Sequence, residues 1–287
     1  MKNDTISPLR QRMLEDMALR NLAPATQRIY LSAVQKFSLY FGRSPDRLNF
    51  ENVREYQLHL VSRKLQPNTI NAMMAGLRFF YKVTMGQADA TTHIPLMRRS
   101  YKLPVVLSQN EVADFLKAAP SFKYLTLFTT IYATGLRVSE AAALKVEDIN
   151  SKRMVIHVKD GKGRKDRYVK LPQRLLLMLR LYWKRQRPEK WLFPSRRSKE
   201  RLTSRSLQRT CRKMAKAAGI IDKHVTVHTL RHCFATHLLE DGVDIRIIQH
   251  LMGHYHITST AHYVRVATNV IRETPSPLEK LKTLPPL

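Results

Sequence analysis

The stretch HTLRHCFATHLLEDGVDIRIIQHLMGHYHITSTAHY, residues 228–263, decides how this chain is interpreted. Its apolar spacing predicts helices over 230–240 and 245–251. It also gathers His228, Arg231, His254 and Tyr263 in one short region. A histidine carries protons near neutral pH, an arginine is a fixed forked cation, and a tyrosine oxygen is a nucleophile. The stretch therefore indicates covalent chemistry on an anion.

The same stretch is rich in histidine, so a metal site is the rival interpretation. His228 and His232 stand four residues apart, as zinc ligands on a helix do, but a zincin helix also needs HExxH with glutamate as the base. Here threonine and arginine occupy the positions between. We therefore expect no metal and no cofactor, and we interpret His232 and His237 as histidines that pack within the helices.

A second motif, ATGLRVSE, precedes this region. It predicts a helix that begins at Arg137, with Glu140 as a supporting residue three positions later. A forked cation beside free backbone N–H groups suits a phosphate. By spacing alone, the same pair could be an ordinary surface ion pair.

A third motif is a basic turn. Residues 154–158 and 167–171 alternate as strands do, and KDGKGRKD between them has the glycine and aspartate of a hairpin. The turn holds Lys162, Arg164 and Lys165. A lysine there could enter a DNA groove and protonate a leaving oxygen, although a solvated basic turn has the same composition.

Taken together, the three motifs resemble one family. The chain has the motif HxLRH, followed by LMGH and by a tyrosine nine residues after the histidine of LMGH. This order is similar to the signature of the tyrosine recombinases, or phage integrases. ATGLRVSE resembles the segment with the family's first arginine, and GKGRKDR resembles the hairpin with its lysine. The likeness runs from about residue 10 to 267 and suggests a simple two-domain protein of the Xer or mobile-element type.

The resemblance implies a set of catalytic residues: Arg137, Lys162, His228, Arg231 and His254 as activating groups, with Tyr263 as the nucleophile. It implies a 3′-phosphotyrosyl intermediate, a free 5′-hydroxyl protonated by Lys162, and four protomers that join two duplexes at a specific site. Two alternatives stay open: a type IB topoisomerase that relaxes DNA as a monomer, and a DNA-binding regulator with an inactive site.

The expected fold is mainly α-helical with a small antiparallel sheet. Residues 1–90 predict four helices, which resemble the family's SAM-like core-binding domain. Residues 91–106 lose the helical period, contain Pro95 and Pro104, and are expected to be a linker. A catalytic domain is expected over 107–270, beginning with a capping box of Ser108 and Glu111. Residues 271–287, which are rich in proline, are expected to be a tail that docks on a partner such as a neighbouring protomer.

The charge predicts the partner. The 287 residues include 50 Lys and Arg against 22 Asp and Glu, a net charge of +28. Each neutralised phosphate releases counterions, so such a balance favours double-stranded DNA. We expect DNA contacts in two groups, the first in the N-terminal domain and the second in the catalytic domain: Thr26, Arg28, Arg63, Lys64, Asn68, Thr69, Asn71 and Arg78; and Arg164, Lys165, Arg205, Arg209 and Arg212.

The expected location is the cytoplasm. The N-terminus lacks the apolar core of a signal peptide, and the apolar runs are shorter than the ~20 residues of a membrane span. Cys211 and Cys233 are the two cysteines. Both fall in predicted helices, which favours structural thiols in a reducing compartment over a disulfide.

Overall fold

The computed structural model describes residues 7–98, 103–159, 166–195 and 198–267. The chain divides into two compact units, Met1–Lys102 and Leu103–Leu287. Most described residues are helical, and the strands form a small antiparallel sheet. The predicted fold class, mainly α with a small sheet, is confirmed.

The first unit is a helical bundle. Proline stands at the start of α1, α2 and α4, where its fixed φ and missing N–H cost nothing. Gly42 ends α2 in the left-handed conformation, with φ of 63°. A π-helical turn over Phe80–Thr84 follows the fourth helix. The helices are α1 (Pro8–Leu19), α2 (Pro24–Phe41), α3 (Phe50–Ser62), α4 (Pro67–Phe79) and α5 (Ala90–His93).

Part of the predicted linker packs on this bundle. Ile94 is fully buried in the first unit's core. The side chain of Asn71 donates to the Met97 carbonyl over 2.9 Å and accepts from the Met97 N–H over 2.8 Å. Arg78 donates to the carbonyls of Ile94 and Thr91 over 2.5 and 3.1 Å. Residues 91–98, which we expected to begin a linker, therefore belong to the first unit.

These bonds correct one proposed DNA contact. Asn71 is only 3% exposed, and both ends of its amide are used inside the protein. It is therefore not available to a DNA base. Helical spacing puts Asn71 off the apolar stripe of Ile70, Met74 and Leu77, but a polar side chain can be buried when it satisfies backbone groups.

We expect Asn71→Ala to lower the free energy of unfolding by about 1–3 kcal/mol, because it removes the side-chain partner of the part-buried N–H and C=O of Met97. Denaturant unfolding of the full chain measures this. Asn68→Ala is the matched control, since Asn68 is exposed on the first turn of the same helix, and its effect should stay within about 0.5 kcal/mol. Equal effects of the two changes would contradict the structural role of Asn71.

The second unit holds the remaining helices around a larger apolar core. Ser108 and Glu111 form the predicted capping box, with both reciprocal bonds present. Cys211 and Cys233 are buried free thiols, as expected. The helices are α6 (Gln109–Lys117), α7 (Phe122–Thr134), α8 (Val138–Ala142), α9 (Gln173–Gln186), α10 (Ser204–Ala217), α11 (Val227–Glu240), α12 (Ile245–Met252) and α13 (Thr258–Ala261).

The sheet has three strands in the order β1-β2-β3, and both pairings are antiparallel. They are β1 (Ile149–Asn150), β2 (Val155–Val158) and β3 (Arg167–Lys170). The predicted hairpin pairs β2 with β3, and Val158 stands opposite Arg167. Its basic turn, with Lys162, Arg164 and Lys165, lies outside the described residues, as does the predicted tail over 271–287.

In the described part of the chain, no helix is both long and apolar enough to cross a membrane.

Candidate active site

The site begins at a tight turn between α7 and α8. Gly135 caps α7 with φ of +63°, and a side chain there would collide with the ring of Phe234. This turn puts Arg137 at the N-cap of α8. The backbone N–H of Arg137 is bonded to the Glu140 carboxylate over 2.8 Å, so the local turn and the side-chain arrangement depend on each other.

Glu140 holds two arginines. One of its oxygens accepts from Arg137 over 2.8 Å, and both accept from the forked guanidinium of Arg167 over 2.9 and 2.8 Å. The Glu140 side chain is 5% exposed, against 16% for Arg137 and 7% for Arg167. The two arginines also donate to the carbonyls of Gly253 and Leu251, each over 3.2 Å. Arg137 and Glu140 are therefore not an isolated ion pair on the surface; together with Arg167 they form a largely buried network.

The charge state of Glu140 follows from these partners. Burial opposes ionisation, but hydrogen bonds and charges from Arg167 and Arg137 outweigh it and lower the pKa of Glu140 to about 2. The carboxylate is therefore ionised at neutral pH. Its negative charge offsets one of the two cations and fixes the position of both.

We expect Glu140→Gln to destabilise the protein by about 3 kcal/mol at neutral pH, from the lowering of the pKa from 4.5 to about 2. The folded pKa is below the unfolded one, so this stabilisation is complete above about pH 4.5 and is lost as the pH falls toward 2. Unfolding of both proteins between pH 7 and pH 3 measures the gap. A gap that does not narrow on acidification would show that the carboxylate charge contributes nothing.

Arg231 is the most enclosed cation of the site. It lies in the first turns of α11 and is 3% exposed. Its guanidinium donates to the carbonyls of Gly135 and Met252 and reaches Nε2 of His254 over 3.1 Å. Burial and the positive charge of Arg137 lower its pKa to about 10, which leaves it charged at neutral pH. These bonds fix the plane of the guanidinium, and none of them goes to a carboxylate.

The bonds of His254 define its tautomer. Arginine can only donate, so Nε2 of His254 accepts from Arg231. Nδ1 then carries the hydrogen and donates to the Thr260 hydroxyl over 3.0 Å. The resemblance implies that His254 is an activating group, and in this arrangement its Nε2 is an acceptor. To donate there, it must bind a proton and give up the bond from Arg231.

Tyr263 follows α13 and is 4% exposed. Its ring packs with Ile248, Met252 and Ala235. Its hydroxyl lies 3.1 Å from Nδ1 of His232. Burial raises the pKa of Tyr263, and the charges of Arg231 and Arg137 only partly offset this. The phenol is therefore protonated at neutral pH, so attack requires a proton acceptor.

His228 lies on the first turn of α11 and is exposed to solvent. Desolvation, Arg231 and Arg137 lower its pKa, so it is neutral at pH 7. Its ring centre is 6.5 Å from that of His232. His228 therefore sits at the solvent side of the cluster, while His232, one helical turn further, faces the tyrosine.

The structure thus gathers five of the six predicted catalytic residues, while the sixth, Lys162, is outside the described residues. Sequence reasoning missed two members of the cluster. His232 was interpreted as a packing histidine, although its position one turn after His228 was a signal. Arg167 was given no role of its own, although its place at the start of a predicted strand indicated a fixed side chain. His237 does pack, between the hydroxyl of Tyr132 and the carbonyl of Leu107.

The predicted DNA contacts differ in exposure. Arg205, Arg209 and Arg212 are exposed along α10, with the i, i+4, i+7 spacing of one helix face. In the first unit, Arg28, Arg63, Lys64, Asn68 and Thr69 are exposed, and Thr26 is partly exposed. Arg78 is half-buried and bonded to two carbonyls, so it contributes to packing as well as to charge.

Both units of the chain match families of known proteins. Residues 105–269 match the phage integrase family, and residues 9–89 match the phage integrase N-terminal SAM-like domain. The chain belongs to the phage integrase family, the tyrosine recombinases.

Its relatives span nearly the whole chain. A Sinorhizobium fredii protein named "Putative integrase/recombinase y4qK" is 47% identical over 278 residues, covering 96% of this chain and 90% of that protein. Tyrosine recombinase XerA of Pyrococcus furiosus is 34% identical and covers 92% and 93%. The crystal structure of XerH site-specific recombinase bound to palindromic difH substrate matches with a TM-score of 0.72 and 22% identity, covering 94% and 85%, and so supports the fold.

Proposed function

We propose that this protein is a site-specific DNA recombinase that cleaves and rejoins DNA through a 3′-phosphotyrosyl intermediate at Tyr263. The observation that carries the proposal is the enclosure of the Tyr263 phenol among the buried Arg231, the half-buried Arg137 and two histidines. A phosphate is the anion that such a group of fixed cations suits.

The two arginines bind the non-bridging oxygens of the scissile phosphate in this proposal. A guanidinium has five N–H donors. The described bonds of Arg137 to Glu140 and Gly253 use two of them, which leaves others for a phosphate. Because the protein holds both cations in place before DNA arrives, little reorganisation is needed as negative charge builds up on phosphorus.

Cleavage then exchanges one ester for another. The Tyr263 oxygen bonds to phosphorus and loses its proton, and the bond from phosphorus to the 5′ oxygen breaks. By family resemblance, Lys162 gives that leaving oxygen its proton. The phosphotyrosine conserves the bond energy, so a 5′-hydroxyl can attack it and restore the DNA without a cofactor.

Double-stranded DNA with a defined site is the proposed partner, held by the exposed arginines of α10 and by the basic surface of the first unit. Recombination between two such sites requires four protomers, and residues 271–287 are proposed to dock on a neighbouring one. Integration, excision, transposition and dimer resolution would all use this chemistry.

The test begins by mapping genomic DNA trapped covalently on the protein, which yields a site. A duplex with that site is then nicked close to the cleavage position, so that the short fragment with the new 5′-hydroxyl diffuses away and cannot rejoin. This substrate should accumulate a covalent complex. A recombinase should exchange strands only when two copies of the site are present. A topoisomerase would instead relax a supercoiled plasmid that contains no site. Relaxation that ignores the site and needs one protomer would assign a topoisomerase, and DNA binding without a covalent complex would assign a regulator.

A further inference from the structure

One polar contact at the nucleophile has no part in the mechanism above. Nδ1 of His232 lies 3.1 Å from the Tyr263 hydroxyl, and the two ring centres are 5.7 Å apart. His232 is half-buried in the middle of α11, which packs against α7 and α12. The contact therefore joins the reacting oxygen to a rigid helix.

The neighbouring groups are poor acceptors for the phenolic proton. Arg137 and Arg231 are charged donors. The Nε2 lone pair of His254 already accepts from Arg231, and its Nδ1 carries a hydrogen. His228 lies at the exposed end of the cluster, and its ring centre is 6.5 Å from that of His232. Among the described residues, His232 is the neutral base that reaches the phenol.

We propose that Nδ1 of His232 accepts the proton of the Tyr263 hydroxyl as that oxygen attacks the scissile phosphate. The inference rests on the proposed function, because it specifies the proton path of that reaction. The bond between the Tyr263 oxygen and phosphorus forms, the proton moves from that oxygen to Nδ1, and the bond to the 5′ oxygen breaks. The 5′ oxygen receives a different proton, from the general acid. In the rejoining step His232 returns its proton to the tyrosine.

The charge state of His232 fits this role. Burial, with His228 and Arg231 nearby, lowers its pKa to about 4, so the ring is neutral at pH 7 and has one nitrogen lone pair. Without DNA, a protonated His232 would be unfavourable at this buried position. The negative charge of the bound phosphate, which grows during attack, stabilises the protonated ring, so proton transfer is coupled to attack.

His232→Asn is the test variant, because an amide in place of Nδ1 keeps a hydrogen-bonding group near the phenol but cannot bind its proton. We expect covalent complex formation to slow by about 10²-fold, the lower end for a general base. DNA affinity should be unchanged. His224→Asn is the control, since His224 is exposed just before α11 and should react as the wild type does.

A substrate with sulfur in place of the bridging 5′ oxygen separates base from acid. A thiolate leaves without protonation, so loss of a general acid is repaired, whereas loss of a base is not. The His232→Asn defect should persist on this substrate, while that of Lys162→Ala should shrink. A rate within about 3-fold of wild type, a faster rate, or rescue by sulfur would each overturn the assignment to His232.

The nitrogen-15 chemical shifts of the His232 ring in the wild-type protein give an independent reading. An unprotonated Nδ1 is required, and a protonated Nδ1 would contradict the proposal even if His232→Asn did not fold. A wild type and a His224→Asn control that both fail to form a covalent complex would instead reject the proposed function, and the role of His232 with it.

Discussion

Tyr263→Phe should form no covalent complex with DNA while it binds the same duplex as tightly as the wild type. Phenylalanine keeps the ring that packs on Ile248 and Met252, so the fold should persist. It removes the oxygen that would bond to phosphorus, so the loss of cleavage should be complete. A nicked substrate analysed under denaturing conditions measures the complex, and a gel-shift titration measures binding.

Tyr255→Phe is the matched control. Tyr255 is 80% exposed and lies eight positions before Tyr263, so it is the nearby tyrosine that could react in its place. We expect this variant to cleave DNA as the wild type does. A covalent complex that survives in Tyr263→Phe and disappears in Tyr255→Phe would move the nucleophile to Tyr255.

Arg231→Lys should lower the cleavage rate by on the order of 10²- to 10³-fold, the usual effect of losing one preorganised donor. Lysine keeps the charge but not the fork. It cannot reach Gly135, Met252 and His254 at once, as the guanidinium does. Rates of covalent complex formation under single-turnover conditions measure the effect, and DNA affinity should change little.

Arg246→Lys is the control for this change, because Arg246 is exposed on α12 and the same substitution there removes no buried bond. Its cleavage rate should match the wild type. If Arg231→Lys cleaves as fast as Arg246→Lys, then Arg231 has no role in the reaction. Unfolding curves of both variants separate a loss of stability from a loss of chemistry.

Local rules predicted most of the second unit. The capping box of Ser108 and Glu111, the hairpin of β2 and β3, and the turn before Arg137 depend on residues close in the chain, and all are present. In the first unit, the helical period predicts one apolar stripe that includes Ile29, Phe37 and Tyr40, and this prediction is only partly right. Phe37 is buried, but Ile29 and Tyr40 are 50% and 41% exposed.

What the sequence could not predict depends on residues that meet across the fold. Arg167 and Glu140 are far apart in the chain, and no helical or strand period relates them. The environment of His232 has the same origin, because it is set by Tyr263 from the turn that follows α13. The raised pKa of Tyr263 likewise reflects burial, and that burial depends on side chains from other helices.

The carboxylate of Glu140 holds two separate parts of the site in place, because it accepts hydrogen bonds from both Arg137 and Arg167. Through Arg137 it supports a proposed phosphate-binding side chain, and through Arg167 it secures the strand that follows the basic turn carrying Lys162. The proposed anion recognition and the proposed leaving-group protonation would thus both depend on a single acidic group, whose described bonds go to Arg137 and Arg167. We therefore expect that a chain with Arg137, Lys162 and Tyr263 but without this acid would keep the family signature and still cleave DNA poorly.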